Sequence, residues 1–229
     1  MSAQGNTNEL FTKEFLSKMS HHSRSPFNGL LGFAELLLLN QNKLKSESAT
    51  DYLLRINMLA KRAFTSSENI NLFLKIYSKN LTPVISSALF SSILEQSYNL
   101  NKEAFKLKEV EFVKELDESL FINCDAFLTG NILSNVLSKA LKLCEDGSVV
   151  TFSSSVTKQK NVFSIAYTGM QIESETVQEF FTKTASPDNL FSPELDIELW
   201  LCYQLATAQN MHFGLTISNN NQTTFSLVV

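Results

Sequence analysis

Two runs of apolar residues, each stepping by three and four, constrain this chain more than any other feature. Leu16, Met19, Ser23, Pro26, Leu30, Phe33 and Leu37 carry the first run. Leu53, Ile56, Ala60, Ala63, Ser67, Ile70, Leu74 and Tyr77 carry the second. That spacing puts each set along one side of an α-helix. The polar stretch "NQNKLKSES" (40–48) separates them and is short, so the two helices form an antiparallel hairpin. One hairpin has little inner surface to bury. Pairing with a second copy into a four-helix bundle supplies the rest, and a homodimer is expected.

The periodicity changes after "SKNLTP" (78–83), where Pro83 ends the helical run. The expected domains are therefore 1–80, the helical hairpin, and 81–229. In the second, apolar spacing predicts a helix over 84–97. Strands are expected at "KEVEFVKEL" and "LFINC", then a strongly apolar helix over 125–144. The turn "EDG" leads into the strands "SVVTFSSSV" and "NVFSIAYT". A helix over 196–209 and two closing strands, "FGLTIS" and "TTFSLVV", complete the pattern, with "NNNQ" (219–222) as a hairpin tip. The fold class is α+β: a helical hairpin, then helices packed on one face of a mixed sheet.

Composition excludes some functions. A net charge of −4 disfavours nonspecific nucleic-acid binding. "LLGFAELLLL" (30–39) is broken by Glu35 and is too short to span a bilayer, so no membrane contact is expected from this segment. Cys124, Cys144 and Cys202 are far apart, odd in number and without metal-ligand spacing; they read as buried thiols of a reducing, cytoplasmic compartment.

Chemistry is concentrated at "MSHHSRSPFNGLLGF" (19–33). His21 is two residues from both Met19 and Ser23, which turns it away from the packed seam, whereas His22 falls nearer that seam. Pro26 lacks an amide hydrogen and its ring meets the carbonyl of His22, so the helix is expected to bend there and expose the turn. An outward imidazole, neutral near pH 7, is a competent nucleophile.

These residues resemble a known family. "FLSKMSHHSRSPFNGLLGF" (15–33) is similar to the H-box of sensor histidine kinases of two-component systems. The resemblance makes His21 the phosphoacceptor, with Ser20, Arg24, Pro26 and Asn28 matching. His22 stands where the family has an acidic residue that assists proton removal, Ser23 replaces an aliphatic, and Ser25 replaces a threonine. "DAFLTGNILSNVLSKALKL" (125–143) resembles the family's N-box helix, with Asp125, Asn135, Ala140 and Lys142 corresponding. The implied second domain, 81–229, is then an α/β sandwich of the histidine kinase ATPase type.

That resemblance is degenerate at the nucleotide positions. Lys139 stands where the family has its magnesium-binding asparagine, and a protonated lysine cannot ligate a metal. In "IAYTGMQI" (165–172) Tyr167 replaces the adenine-reading aspartate and Gln171 the second glycine, leaving Thr168 and Gly169. In "ELDIELWLCYQLA" (194–206) the phosphate-cradling glycines have become Glu194, Asp196 and Glu198. A carboxylate about 4 Å from a phosphate charge costs on the order of 4 kcal/mol at an effective dielectric near 20. Binding of ATP and magnesium is expected to be lost, so no cofactor is assigned. Asn135, Lys139, Lys142, Tyr167, Gly169, Asp196 and Glu198 are read as vestigial site positions.

Three functions follow from the resemblance. The first is a histidine phosphotransferase acting through His21 on the receiver domain of a response regulator, with Ser25 placed for a phosphatase-like role and His22 and Arg24 beside it. The second is a noncatalytic pseudokinase scaffold that docks partners, including another histidine kinase. The third is a divergent active kinase.

Overall fold

A computed structural model describes residues 17, 24–40, 46–170, 172, 197–218 and 221–229 of the chain. Two compact units are present, Met1–Leu74 and Lys75–Val229.

Residues 24–40 are helical (α1) and Ser46–Tyr77 form α2, which lies in the first unit up to Leu74. Phe33 of α1 meets Tyr52 with ring centroids 5.7 Å apart. The Arg55 guanidinium lies 5.8 Å from the same ring and pairs with Asp51 at 2.9 Å. One turn back, Gly29 faces Leu59 so closely that an added Cβ would stand 2.9 Å from its Cδ1. Moving backward along α1 therefore moves forward along α2: the hairpin is antiparallel. Its seam differs from the expected line. Ala63 is buried, and Ile56 and Ile70 are half-buried, but Leu53, Ala60, Ser67, Leu74 and Tyr77 are exposed. Two helices touch along one narrow line, so a stripe of heptad breadth cannot be covered by a single partner helix.

The second unit contains β1 (Ser86–Leu89), α3 (Phe90–Leu107), β2 (Glu111–Glu115), β3 (Phe121–Cys124), α4 (Ala126–Leu143), β4 (Val149–Thr157), β5 (Lys160–Thr168), α5 (Ile197–Ala208), β6 (His212–Ile217) and β7 (Gln222–Val228). The main sheet has the order β2-β4-β5-β7-β6, with β2 parallel to β4 and every other pair antiparallel. Alternation puts Phe152, Phe163, Ile165, Tyr167, Phe213, Leu215, Phe225 and Leu227 on the buried face, toward the helices. Phe90, the first residue of α3, lies flat on Phe163 with centroids 3.7 Å apart. The apolar stripe of α4 (Ile132, Leu133, Val136, Leu137, Leu141) is buried as its spacing predicts, and so are all three cysteines, which are free thiols. Burial pushes the Cys124 thiol up from its ordinary value.

Small residues bring α3 and α4 together. The Ser97 hydroxyl donates to the Gly130 carbonyl at 3.1 Å, and the Asn101 amide reaches Ser134 O at 3.4 Å. These equal offsets make the two helices parallel. Along α5 the sense reverses, since Cys202 Sγ approaches Ile132 O while Gln209 reaches the start of α4.

The expectation for 84–97 is corrected. Residues 86–89 are a strand paired antiparallel with Phe121–Cys124, and the helix begins only at Phe90. The apolar spacing of this stretch suits either state, and the β3 partner that satisfies its amides is more than thirty residues away.

Candidate functional site

The histidine turn is represented by its C-terminal flank. Arg24 and Ser25 are exposed at the described start of α1, Pro26 is buried, and Asn28 is exposed. His21 and His22 lie outside the described residues, as do Asp196, Glu194 and Gln171.

In the second unit the site positions gather around α4. Asp125 is its N-cap: one carboxylate oxygen accepts from Leu128 N at 3.0 Å and the other from Val84 N at 2.8 Å. The Asp125 amide in turn donates to Gln209 Oε1 at 2.8 Å, which also accepts from the Thr129 hydroxyl at 3.2 Å. Sequence reading did not single out Gln209, although its place at the apolar end of α5 made it a candidate for burial. Along α4, Asn135, Lys139 and Lys142 share one side at i, i+4 and i+7. That side climbs from core to surface: Asn135 is buried, Lys139 half-buried, Lys142 exposed. The antiparallel register with α5 carries Glu198 to the level of Val136–Lys139, so an acid and a lysine stand at one height on neighbouring helices.

The far end of α4 is tied to β5. Cys144 bridges Gly169, and Met170 N donates to Leu143 O at 2.9 Å. A Cβ on Gly169 would lie 2.4 Å from Leu143 O and 2.8 Å from Cys144 Cα. Glycine is thus required there by the protein's own backbone. Lys108 closes the same helix end, its ammonium donating to Leu141 O at 2.9 Å and to Cys144 O, where a cation also complements the helix dipole.

Tyr167 is fully buried beside this junction. Its ring stacks on Phe225 (6.2 Å, 25°) and its hydroxyl donates to Met170 O at 3.3 Å. Directly across the ladder is Thr223, whose buried Oγ1 makes no hydrogen bond of good geometry. Burial raises the phenol's pKa, and the nearby Thr223 hydroxyl offsets part of that. The parity of "TTFSLVV" pointed Thr223 inward with Phe225 and Leu227, which was the available signal for it.

Two curated relatives cover most of the chain. It is 28% identical over 187 residues to the sensor protein GacS of Pseudomonas syringae pv. syringae, covering 78% of this chain and 20% of that protein. It is 25% identical over 185 residues to the sensor histidine kinase WalK of Bacillus subtilis, covering 75% of this chain and 28% of that one. The chain is a relative of the sensor histidine kinases. It spans about a fifth of the length of GacS. No family model matches it. The fold agrees with solved histidine kinases: AdeS of Acinetobacter baumannii superposes with a TM-score of 0.59 at 14% identity, over 91% of this chain and 96% of that one. A complex of histidine kinase ThkA with response regulator TrrA gives 0.59 at 15% identity, over 99% and 64%. The lysine at 139 only donates, the ring at 167 presents no carboxylate to a base, and the open side of Gly169 is taken by Leu143 and Cys144.

Proposed function

We propose that this chain is a two-component phosphotransfer protein in which His21 accepts a phosphoryl group from a receiver aspartate and returns it to another, without ATP. The observation that carries the reading is the contrast between an H-box retaining His21, Arg24 and Asn28 and a second unit whose Tyr167 is buried aromatic packing. The neighbour ThkA is seen with a response regulator, which supports a receiver partner here.

The chemistry asks little of this chain. An imidazole nitrogen lone pair attacks the phosphorus of the aspartyl phosphate, the acyl P–O bond breaks, and the carboxylate leaves. The imidazole N–H proton passes to solvent. The receiver contributes its own acidic pocket and magnesium, so the hairpin need supply only a positioned imidazole and a docking surface. Ser25, exposed and four positions after His21 in the sequence, is assigned the task of orienting a water for receiver dephosphorylation. A second copy completes the bundle: Leu31 and Leu38 of α1 and Leu53 and Phe64 of α2 are all more than half exposed in the single chain.

Incubation with a labelled phospho-receiver tests this. Acid-labile label on the chain, absent from His21→Ala, is expected, with no label from ATP. Label arriving from ATP would instead make the chain a kinase. His22 and Ser23, which depart from the motif, favour a second reading as a docking scaffold; receiver binding without transfer is its signature.

A further inference from the structure

Tyr167 and Thr223 form a pair that the packing of the sheet does not by itself require. They are register partners on β5 and β7, both facing the helices, with Val150 of β4 on the other side of Tyr167. β-Branched and aromatic residues are both favoured in strands, so what sets the pair apart is the hydroxyl of Thr223. Thr223 is isosteric with valine, yet it carries a hydroxyl that makes no hydrogen bond of good geometry and has only the Tyr167 phenol nearby to engage it, and it is fully enclosed. Burying an unpaired hydroxyl costs free energy, so such a group needs an explanation. Beside it, the Tyr167 hydroxyl passes over Thr223 and donates to Met170 O instead, at a long 3.3 Å. Around Tyr167 stand the Phe225 ring, the Met170 carbonyl that accepts from its hydroxyl, the nearby Thr223 hydroxyl and, across the β4 ladder, Val150. Those are the contacts of a slot for a flat ring that bears a hydrogen-bond donor.

We propose that Tyr167 is a resident occupant of that slot: its ring takes the place where the histidine kinase relatives read a nucleotide base, and holds this unit in filled packing with no nucleotide. The inference rests on the reading above in which ATP is not used. Removing the ring uncovers a site for a small planar aromatic carrying a donor, which offers its proton to Met170 O and accepts from or donates to Thr223. Because the occupant is covalent, its local concentration never falls, and the packing of the unit is insensitive to nucleotide supply.

Thermal unfolding of the full chain tests this with three probes at millimolar concentration: p-cresol, adenine, and toluene as the ring without a donor. The wild type is expected to show no shift with any probe or with ATP. Tyr167→Gly is expected to melt lower and to regain at least a few degrees with p-cresol or adenine, and less with toluene. Adding Thr223→Val is expected to shrink the advantage of the polar probes. Should the glycine variant not fold, Tyr167→Ala keeps a β-carbon on the strand while still opening the slot, and the same ordering is expected. Stabilisation of the wild type by adenine or ATP would overturn both this inference and the ATP-free reading. A silent wild type with no probe stabilising either variant would overturn the resident-ring inference and leave the ATP-free reading standing.

Discussion

Gly169 shows how a residue can be retained for a reason other than the one its motif implies. The backbone bridge to Cys144 and the bond from Met170 to Leu143 close the gap between strand and helix end, leaving no room for a side chain. Gly169→Ala must push Leu143 O and Cys144 Cα away through bonded backbone, so a loss of about 2–4 kcal/mol is expected in denaturant unfolding. Gly147 is the control. It has φ 70° in the "EDG" turn with open space around it, and its alanine variant is expected to cost only about 1 kcal/mol. The sequence assigns one to a turn and the other to a motif, but says nothing of the room around either. The approach of a distant backbone is what makes the difference in cost.

Among the elements, α4 is held at both ends by groups from elsewhere in the chain. Asp125→Ala removes the acceptor for Leu128 N and Val84 N together, and a loss of about 1–2 kcal/mol is expected, most of it recovered by Asp125→Asn. The β4–β5 hairpin has the opposite character. Lys158 and Gln159 both sit at positive φ (50° and 64°), in a turn that favours Asn-Gly. Replacing the pair with Asn-Gly is expected to raise stability by about 1 kcal/mol, measurable as a higher midpoint in urea. The strand at 86–89 illustrates what a local pattern omits. "SSAL" has no strong preference, and its state is decided by the free edge that Phe121–Cys124 presents. By contrast α4, with its 3.6-residue apolar stripe and the "EDG" turn after it, was legible in the sequence, while its Asp125 cap emerged from the structure.

For the whole molecule, burial sets an alkaline limit. The Cys124 thiol and Tyr167 phenol are both raised above their ordinary values of 9.0 and 10.0, chiefly by burial. A raised acid contributes stability that is fully present below its unfolded pKa and is lost as pH rises through the folded one. The melting temperature should therefore start to fall above about pH 9, and Cys124→Ala should delay that fall until tyrosine ionisation begins nearer pH 10. Assembly is the second expectation at this scale: sedimentation should show a dimer, and Leu53→Asp with Phe64→Asp should give monomers. Much was determined by the sequence itself: the helical hairpin, the change of periodicity after it, the mixed sheet under one layer of helices, and the buried cysteines. Each follows from spacing along the chain, and spacing is local. Tertiary structure alone decided which line of α2 meets α1, that residues 86–89 become a strand, that Gly169 serves a backbone contact, and that Tyr167 lies beside an unpaired Thr223. Those outcomes depend on groups distant in the chain meeting within a few ångströms, and a distance of that kind has no counterpart in sequence order.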